Sequence, residues 1–221
     1  MPRILPIGIL ASGEGTTLDG LAEMIAGGHL PARVALVVSD RPHAHAIERA
    51  RQRGLPTLVL PSHGHVAGAW EEELTRALES RGVELVVLAG FLSILPPAWV
   101  DHWRGRAINI HPSLLPRYGG AGMWGPRVHA AVLAAHERTT GATVHVVTND
   151  VDHGPILAQE RIPVVPDDTV ETLRARLHPV EVALLASTIR AFADGTWELP
   201  YPSAERVARA PDGPDRPDAR R

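Results

Sequence analysis

Short apolar runs alternate with stretches of helical spacing along most of this chain, and that alternation leaves few folds open. Ile4–Leu10, Arg33–Val38 ("RVALVV"), Thr57–Leu60 and Glu84–Leu88 ("ELVVL") read as strands. Runs this continuously apolar belong to strands buried on both faces, as in a parallel sheet. Between them, Thr16–Ile25, Ala44–Arg53 and Ala69–Arg81 have helical spacing, and Trp70, Leu74 and Leu78 form one apolar stripe that reads as core. Further strands are expected at Ala107–Ile110 and Thr143–Val147, with a broken one at Ile156–Val164. Further helices are expected at Val128–Ala135 and Val170–Ala193, the last kinked or divided at Pro179. The fold class is α/β: a single domain with a mostly parallel sheet flanked by helices. Ligands of such sheets sit beyond the carboxyl ends of the strands. Ser12–Thr17, Gly90–Leu95 and Asn109–His111 all fall there.

Composition narrows the function classes. The chain has 221 residues and is 44% hydrophobic, enough for one sizeable core. A formal net charge of −3 gives no footing for general nucleic-acid binding. Cysteine is absent, which removes disulfides, thiolate nucleophiles and cysteine metal sites, and suits a cytoplasmic setting. The N-terminal apolar run is far shorter than a membrane span and leads into a glycine turn, so it reads as the first strand. The 12 histidines are scattered without metal-binding spacing, so no metal is expected. Residues 1–199 are expected to form the domain. Residues 200–221, rich in Pro, Ala, Asp and Arg, read as a disordered tail.

Two motifs carry chemistry. "ASGEGTTL" joins the first strand to the first helix, with Gly13 and Gly15 allowing a tight turn and Thr16 and Thr17 at the helix start. Free N–H groups and the helix dipole favour an anion there. No Gly-Lys-Ser/Thr follows, and Leu18 stands where a dinucleotide fingerprint needs its third glycine, so a monophosphate fits best. The plainer alternative is a turn capped by Thr16. Glu14 puts a negative charge close by. The second motif is Asn109-x-His111. Side chains two apart on a strand share a face and can converge on one carbonyl oxygen, the outline of an oxyanion site. Pro112 and Pro116 stiffen the segment after His111. "TVHVVTNDVDHGP" (Thr143–Pro155) offers a carboxylate expected to keep the His111 ring charged and oriented; Asp152, before the Gly-Pro turn, is favoured over a solvated Asp150. His145, on the strand before this loop, reads either as a supporting partner of these groups or, slightly favoured, as a hydrogen-bonded core histidine.

"LASGEGTTL", "VVLAGFLSILPPAWV", "INIHPSLLPRYGG" and "TVHVVTNDVDHGPIL", in that order, resemble the phosphoribosylglycinamide formyltransferase family, folate-dependent formyl transferases of purine biosynthesis. The resemblance spans residues 4–195. "NIHPSLLP" is shared with related formyl transferases, including the methionyl-tRNA enzyme, so it marks the chemistry more than the acceptor.

The resemblance implies a Rossmann-like formyltransferase fold and a catalytic trio of Asn109, His111 and Asp152. It implies that Gly15, Thr16 and Thr17 hold the acceptor's phosphate and that Glu181 contacts the ribonucleotide. It assigns Leu92, Ser93, Ile94 and Leu95, with Asn109 and the loop Thr148, Asn149, Asp150, Val151 and Asp152, to the folate. 10-Formyltetrahydrofolate is then a co-substrate and no bound cofactor is needed. The partners are small molecules, with no nucleic acid and no membrane, and the protein is a monomer or homodimer.

Rival readings are formyl transfer to an amino sugar nucleotide or to methionyl-tRNA, hydrolysis of formyl-folate, and a non-catalytic nucleotide-binding module of the same fold. The tRNA enzyme carries a further basic domain and the hydrolases an N-terminal regulatory one, neither expected here. A silent module has no reason to keep all three of Asn109, His111 and Asp152.

Overall fold

A computed structural model describes residues 3–62 and 68–202. Its elements in chain order are β1 (Leu5–Leu10), α1 (Thr16–Ala26), β2 (Ala32–Ser39), α2 (His45–Gln52), β3 (Thr57–Val59), α3 (Ala69–Ser80) and β4 (Leu85–Leu88). Then come α4 (Pro97–His102), β5 (Ala107–His111), α5 (Gly125–Ala134), β6 (Thr139–Val146), β7 (Ile156–Pro163) and α6 (Val170–Ala193). The strands form one sheet in the order β3-β2-β1-β4-β5-β6-β7. Pairings from β3 through β5 are parallel; β5–β6 and β6–β7 are antiparallel.

The apolar runs are explained by burial on both faces. Along β1, Ile7 and Ile9 point to one side, where Leu18 and Leu21 of α1 and Leu185 and Ile189 of α6 cover them. Leu10 points to the other side, with Val38 and Val86, beneath Trp70, Leu74 and Leu78 of α3. Each fully buried Leu or Ile contributes about 1.5–3 kcal/mol, so the two layers carry most of the folding free energy. Trp70 also donates its indole N–H to the Leu60 carbonyl at 3.0 Å, satisfying its only polar atom.

Several elements differ from expectation. The helix α4 was not expected. It is short and opens on two prolines, and it forms because Trp99 and Trp103 stack at 5.9 Å under the sheet. β6 begins at Thr139, not Thr143, because pairing with β7 from Thr139↔Pro163 onward stabilises residues of weak apolar pattern. β7 is continuous rather than broken, but it carries a bulge: the register shifts between Val144 and His145 of β6, which leaves Leu157 of β7 without a partner. α5 starts earlier, at Gly125-Pro126, where a proline in the first turn needs no N–H partner. α6 runs unbroken through Pro179, capped at its start by reciprocal bonds between Thr169 and Thr172. Its packing on α1, α5 and β6 holds the helix together where proline removes one backbone bond. Pro200 and Tyr201, counted with the tail from sequence, lie against the domain. The Tyr201 N–H donates to Gly105 O at 2.7 Å and its ring meets Phe192 and Trp197 edge-on. The remainder of the expected tail, 203–221, lies outside the described residues.

The chain steps from β1 outward to β2 and β3, then returns to place β4 on the other side of β1. That reversal opens a crevice at the carboxyl ends of β1 and β4.

Candidate active site

A cavity of about 590 Å³ occupies this crevice and extends along the rim past β5. Gly15, Thr16, Thr17, Leu92–Leu95, Asn109, His111, Thr148, Asn149, Val151, Asp152 and Glu181 all line it. Of the expected site residues, Asp150 alone does not; it is exposed, and its backbone carbonyl accepts the Thr148 hydroxyl at 3.0 Å.

The glycine turn is an uncapped helix start. Gly15 is the N-cap residue, with φ 72°, and no side chain caps the helix. Thr16 is therefore the first helical residue and not the cap. The first backbone bond of the helix joins Asp19 N–H to Gly15 O, which leaves the N–H groups of Thr16, Thr17 and Leu18 free for an anion. Gly13, by contrast, has no left-handed φ, so Gly15 alone needs glycine for its backbone conformation. Glu14 also lines the cavity, and its carboxylate lies 3.0 Å from His45 Nδ1. That hydrogen bond and the His45 charge keep its pKa below the ordinary value.

Asn109 and His111 are both on β5 and face the cavity. The antiparallel register sets Asn109 opposite His145, and His111 opposite Thr143. Asn109 Nδ2 donates to His145 Nε2 at 3.0 Å, and its second N–H reaches Asp152 Oδ1 over a long 3.4 Å. His145 can accept because its Nδ1–H is turned to the Val146 carbonyl, 3.0 Å away. Asp152 Oδ2 accepts the Gly120 N–H at 2.9 Å and lies 3.4 Å from His111 Nδ1. The other ring nitrogen of His111 donates to Tyr118 O at 2.8 Å. Asp152 and Tyr118 both sit at positive φ, 59° and 58°, a conformation costly for side-chain-bearing residues and found at functional centres.

The segment after His111 is braced from β6 and β7. The Thr143 hydroxyl donates to Ser113 O and accepts from Leu115 N, while the Gln159 amide donates to Leu115 O at 2.9 Å.

The electrostatics are set by burial. Burial alone would raise the Asp152 pKa. The His111 ring beside it and the Gly120 N–H outweigh it and hold the carboxyl below its usual range. For His111 the balance goes the other way. Burial lowers the ring's pKa, and the Asp152 charge and the Tyr118 carbonyl recover only part of the loss. The expectation that Asp152 keeps His111 charged in the resting site is thus corrected: the buried ring favours its neutral form.

Four further titratable residues line the cavity that the sequence reading did not place there. His145 is the acceptor that orients Asn109, rather than a histidine merely satisfied in the core. Arg174 and His178 join Glu181 on one stripe of α6, at the i, i+4, i+7 spacing that a helical reading could have flagged. His129, on α5, is almost fully buried and faces the same space.

A family model described as formyl transferase matches residues 5–189. The chain belongs to the formyl transferase family. It is similar to the phosphoribosylglycinamide formyltransferase of Escherichia coli, 36% identical over 86% of this chain and 88% of that protein. It is 38% identical to the trifunctional purine biosynthetic protein adenosine-3 of Drosophila melanogaster over 86% of this chain, but spans only 14% of that longer protein. Among solved structures it superposes on glycinamide ribonucleotide transformylase 1 from Symbiobacterium toebii with a TM-score of 0.81. The identity there is 37%, covering 89% of this chain and 91% of the other.

Proposed function

We propose that this chain transfers the formyl group of 10-formyltetrahydrofolate to the primary amine of 5-phosphoribosylglycinamide, a step of purine biosynthesis. The observation that carries the reading is one cavity holding both an uncapped helix start and the Asn109–His111–Asp152 trio. The turn follows β1, and Asn109 and His111 stand on β5, with β4 between them. Two strand spacings separate them, roughly 10 Å, a span that suits a phosphate at one end of a ribosylglycinamide and its amine at the other. Such remote anchoring spends binding energy on aligning the amine for attack.

The amine nitrogen bonds to the formyl carbon, and the formyl oxygen gains negative charge. Asn109 can meet that charge with the N–H now on its long contact to Asp152, since its other N–H is held by His145. His111 is drawn toward its charged form as the oxyanion develops beside it. Collapse breaks the bond from the formyl carbon to N10, and the proton lost by the amine reaches N10 through Asp152 and water. Leu92, Ile94, Leu95 and Val151 offer the apolar walls that a pteridine ring needs, with Ser93, Thr148 and Asn149 as polar neighbours. Both substrates are soluble metabolites, in keeping with a cytoplasmic enzyme.

The test is the absorbance of released tetrahydrofolate, with 5-phosphoribosylglycinamide, with an amino sugar nucleotide, and with no amine. Turnover with the first alone is expected; turnover without any amine would make the chain a hydrolase. His111→Ala should lower turnover about 10²–10³-fold, the usual loss for one oxyanion donor, with ribonucleotide binding retained. A near-normal rate would remove His111 from the chemistry.

A further inference from the structure

We propose that His129 is the group that binds the acceptor's amide: its ring N–H donates to the carbonyl oxygen of the glycinamide arm, between the reacting amine and the ribose. The proposal rests on the acceptor reading above and extends it.

His129 is 2% exposed, lines the cavity, and makes no hydrogen bond to any described residue. Its Nδ1 is sealed from solvent without a partner. Buried polar groups are nearly always satisfied, so a ring left open toward a cavity calls for a partner from the ligand. A sealed Nδ1 with no acceptor near it is best left without a proton. That puts the single N–H of the neutral ring on Nε2. Burial supports this state by holding the ring's pKa below 6.5, against the pull of Glu181.

His129 lines the same cavity as His111 on β5 and as Arg174 and Glu181 on α6. The ring thus shares one space with the reacting centre and with the helix stripe that faces the ribonucleotide in the acceptor reading. Going outward from the amine, a glycinamide ribonucleotide presents a methylene and then the amide carbonyl before the ribose. The carbonyl is an uncharged acceptor, and a neutral N–H donor suits it. An amine whose neighbouring atoms carry no such carbonyl would leave this donor unpaired, and so be rejected.

The experiment is a cycle of two enzymes and two acceptors. KM is measured for the natural amide and for its thioamide, in which sulfur, a poor acceptor, replaces the carbonyl oxygen. In the wild type the thioamide should raise KM about tenfold, the loss expected for one buried hydrogen bond. His129→Phe should raise the KM for the natural amide to a similar degree and abolish the difference between the acceptors, while the folate KM stays unchanged. If His129→Phe still discriminates the acceptors tenfold, or leaves the amide KM unaltered, His129 does not hold the carbonyl. His129→Leu is put through the same cycle should the Phe variant not fold, with the same outcomes deciding. Failure of the wild type to turn over the natural amide would overturn the acceptor reading itself, and this proposal with it.

Discussion

The two glycines of the turn after β1 should behave oppositely when each is given one methyl group. At Gly15 a Cβ would lie 2.6 Å from Ala46 Cα and 2.8 Å from Ala46 Cβ, both closer than real contacts allow. Alanine would also have to hold φ 72°, at about 1–2 kcal/mol for the left-handed region. Relieving the overlap means pushing α2 outward against the bond from Ala46 N–H to Gly13 O, and overpacking of this kind costs about 1–3 kcal/mol. Reduced freedom of the unfolded chain returns about 0.4–1 kcal/mol. Gly15→Ala should therefore lose about 2–3 kcal/mol in urea unfolding. At Gly13 a Cβ meets nothing within 4 Å, and only the unfolded-state gain remains. Gly13→Ala should be neutral or slightly stabilising. Because Gly15 also aims the free N–H groups of α1, Gly15→Ala should raise the acceptor's KM well beyond the folate's. Equal stability of the two variants, within about 0.5 kcal/mol, would refute the steric argument.

His145→Phe removes the acceptor that orients the Asn109 amide; turnover should fall about 10²-fold with both KM values kept, and an unchanged rate would show that Asn109 needs no such guide. The buried rings give a pH dependence of stability. Burial holds both His111 and His129 below the ordinary 6.5, so between their native pKa values and 6.5 the unfolded chain binds more protons. Stability should then fall as the pH drops below about 6.5, read as a lower urea midpoint at pH 5.5 than at 7.5. The slope should flatten in the His111→Gln, His129→Gln double variant; a slope left intact would assign it to other groups.

The strands from β1 to β5 were legible because burial on both faces writes itself as uninterrupted Val, Ile and Leu. Asn109 and His111 were legible because a strand has a period of two, and Asp152 because it precedes a Gly-Pro turn. α4 escaped because its six residues begin with a proline and follow another, and its stability comes from two tryptophans meeting beneath the sheet. The start of β6 escaped because Thr139 and Thr140 carry no apolar signal and are held by a partner strand. His145 was misjudged for a non-local reason: its role depends on the cross-strand register with Asn109, which no reading of β6 alone supplies. His129 shares that difficulty, since only the docking of α5 on α6 turns it toward the cavity. The resting charge of His111 was misjudged because sequence shows the carboxylate beside it but not the depth at which both are buried.

Only three residue pairs, Val86↔Ala107, Val87↔Ile108 and Leu88↔Asn109, stitch β4 to β5. The uncapped helix start, the proposed phosphate anchor, lies on one side of this seam and the acid-bearing loop on the other. α6 crosses it, packing on β1 and β2 as well as β6, and so works as a splint. Fraying at that ladder would part the handle of one substrate from the reactive end of the other while each half kept its shape. Amide exchange along Val86–Leu88 should thus track loss of activity at denaturant concentrations where the helices are still intact.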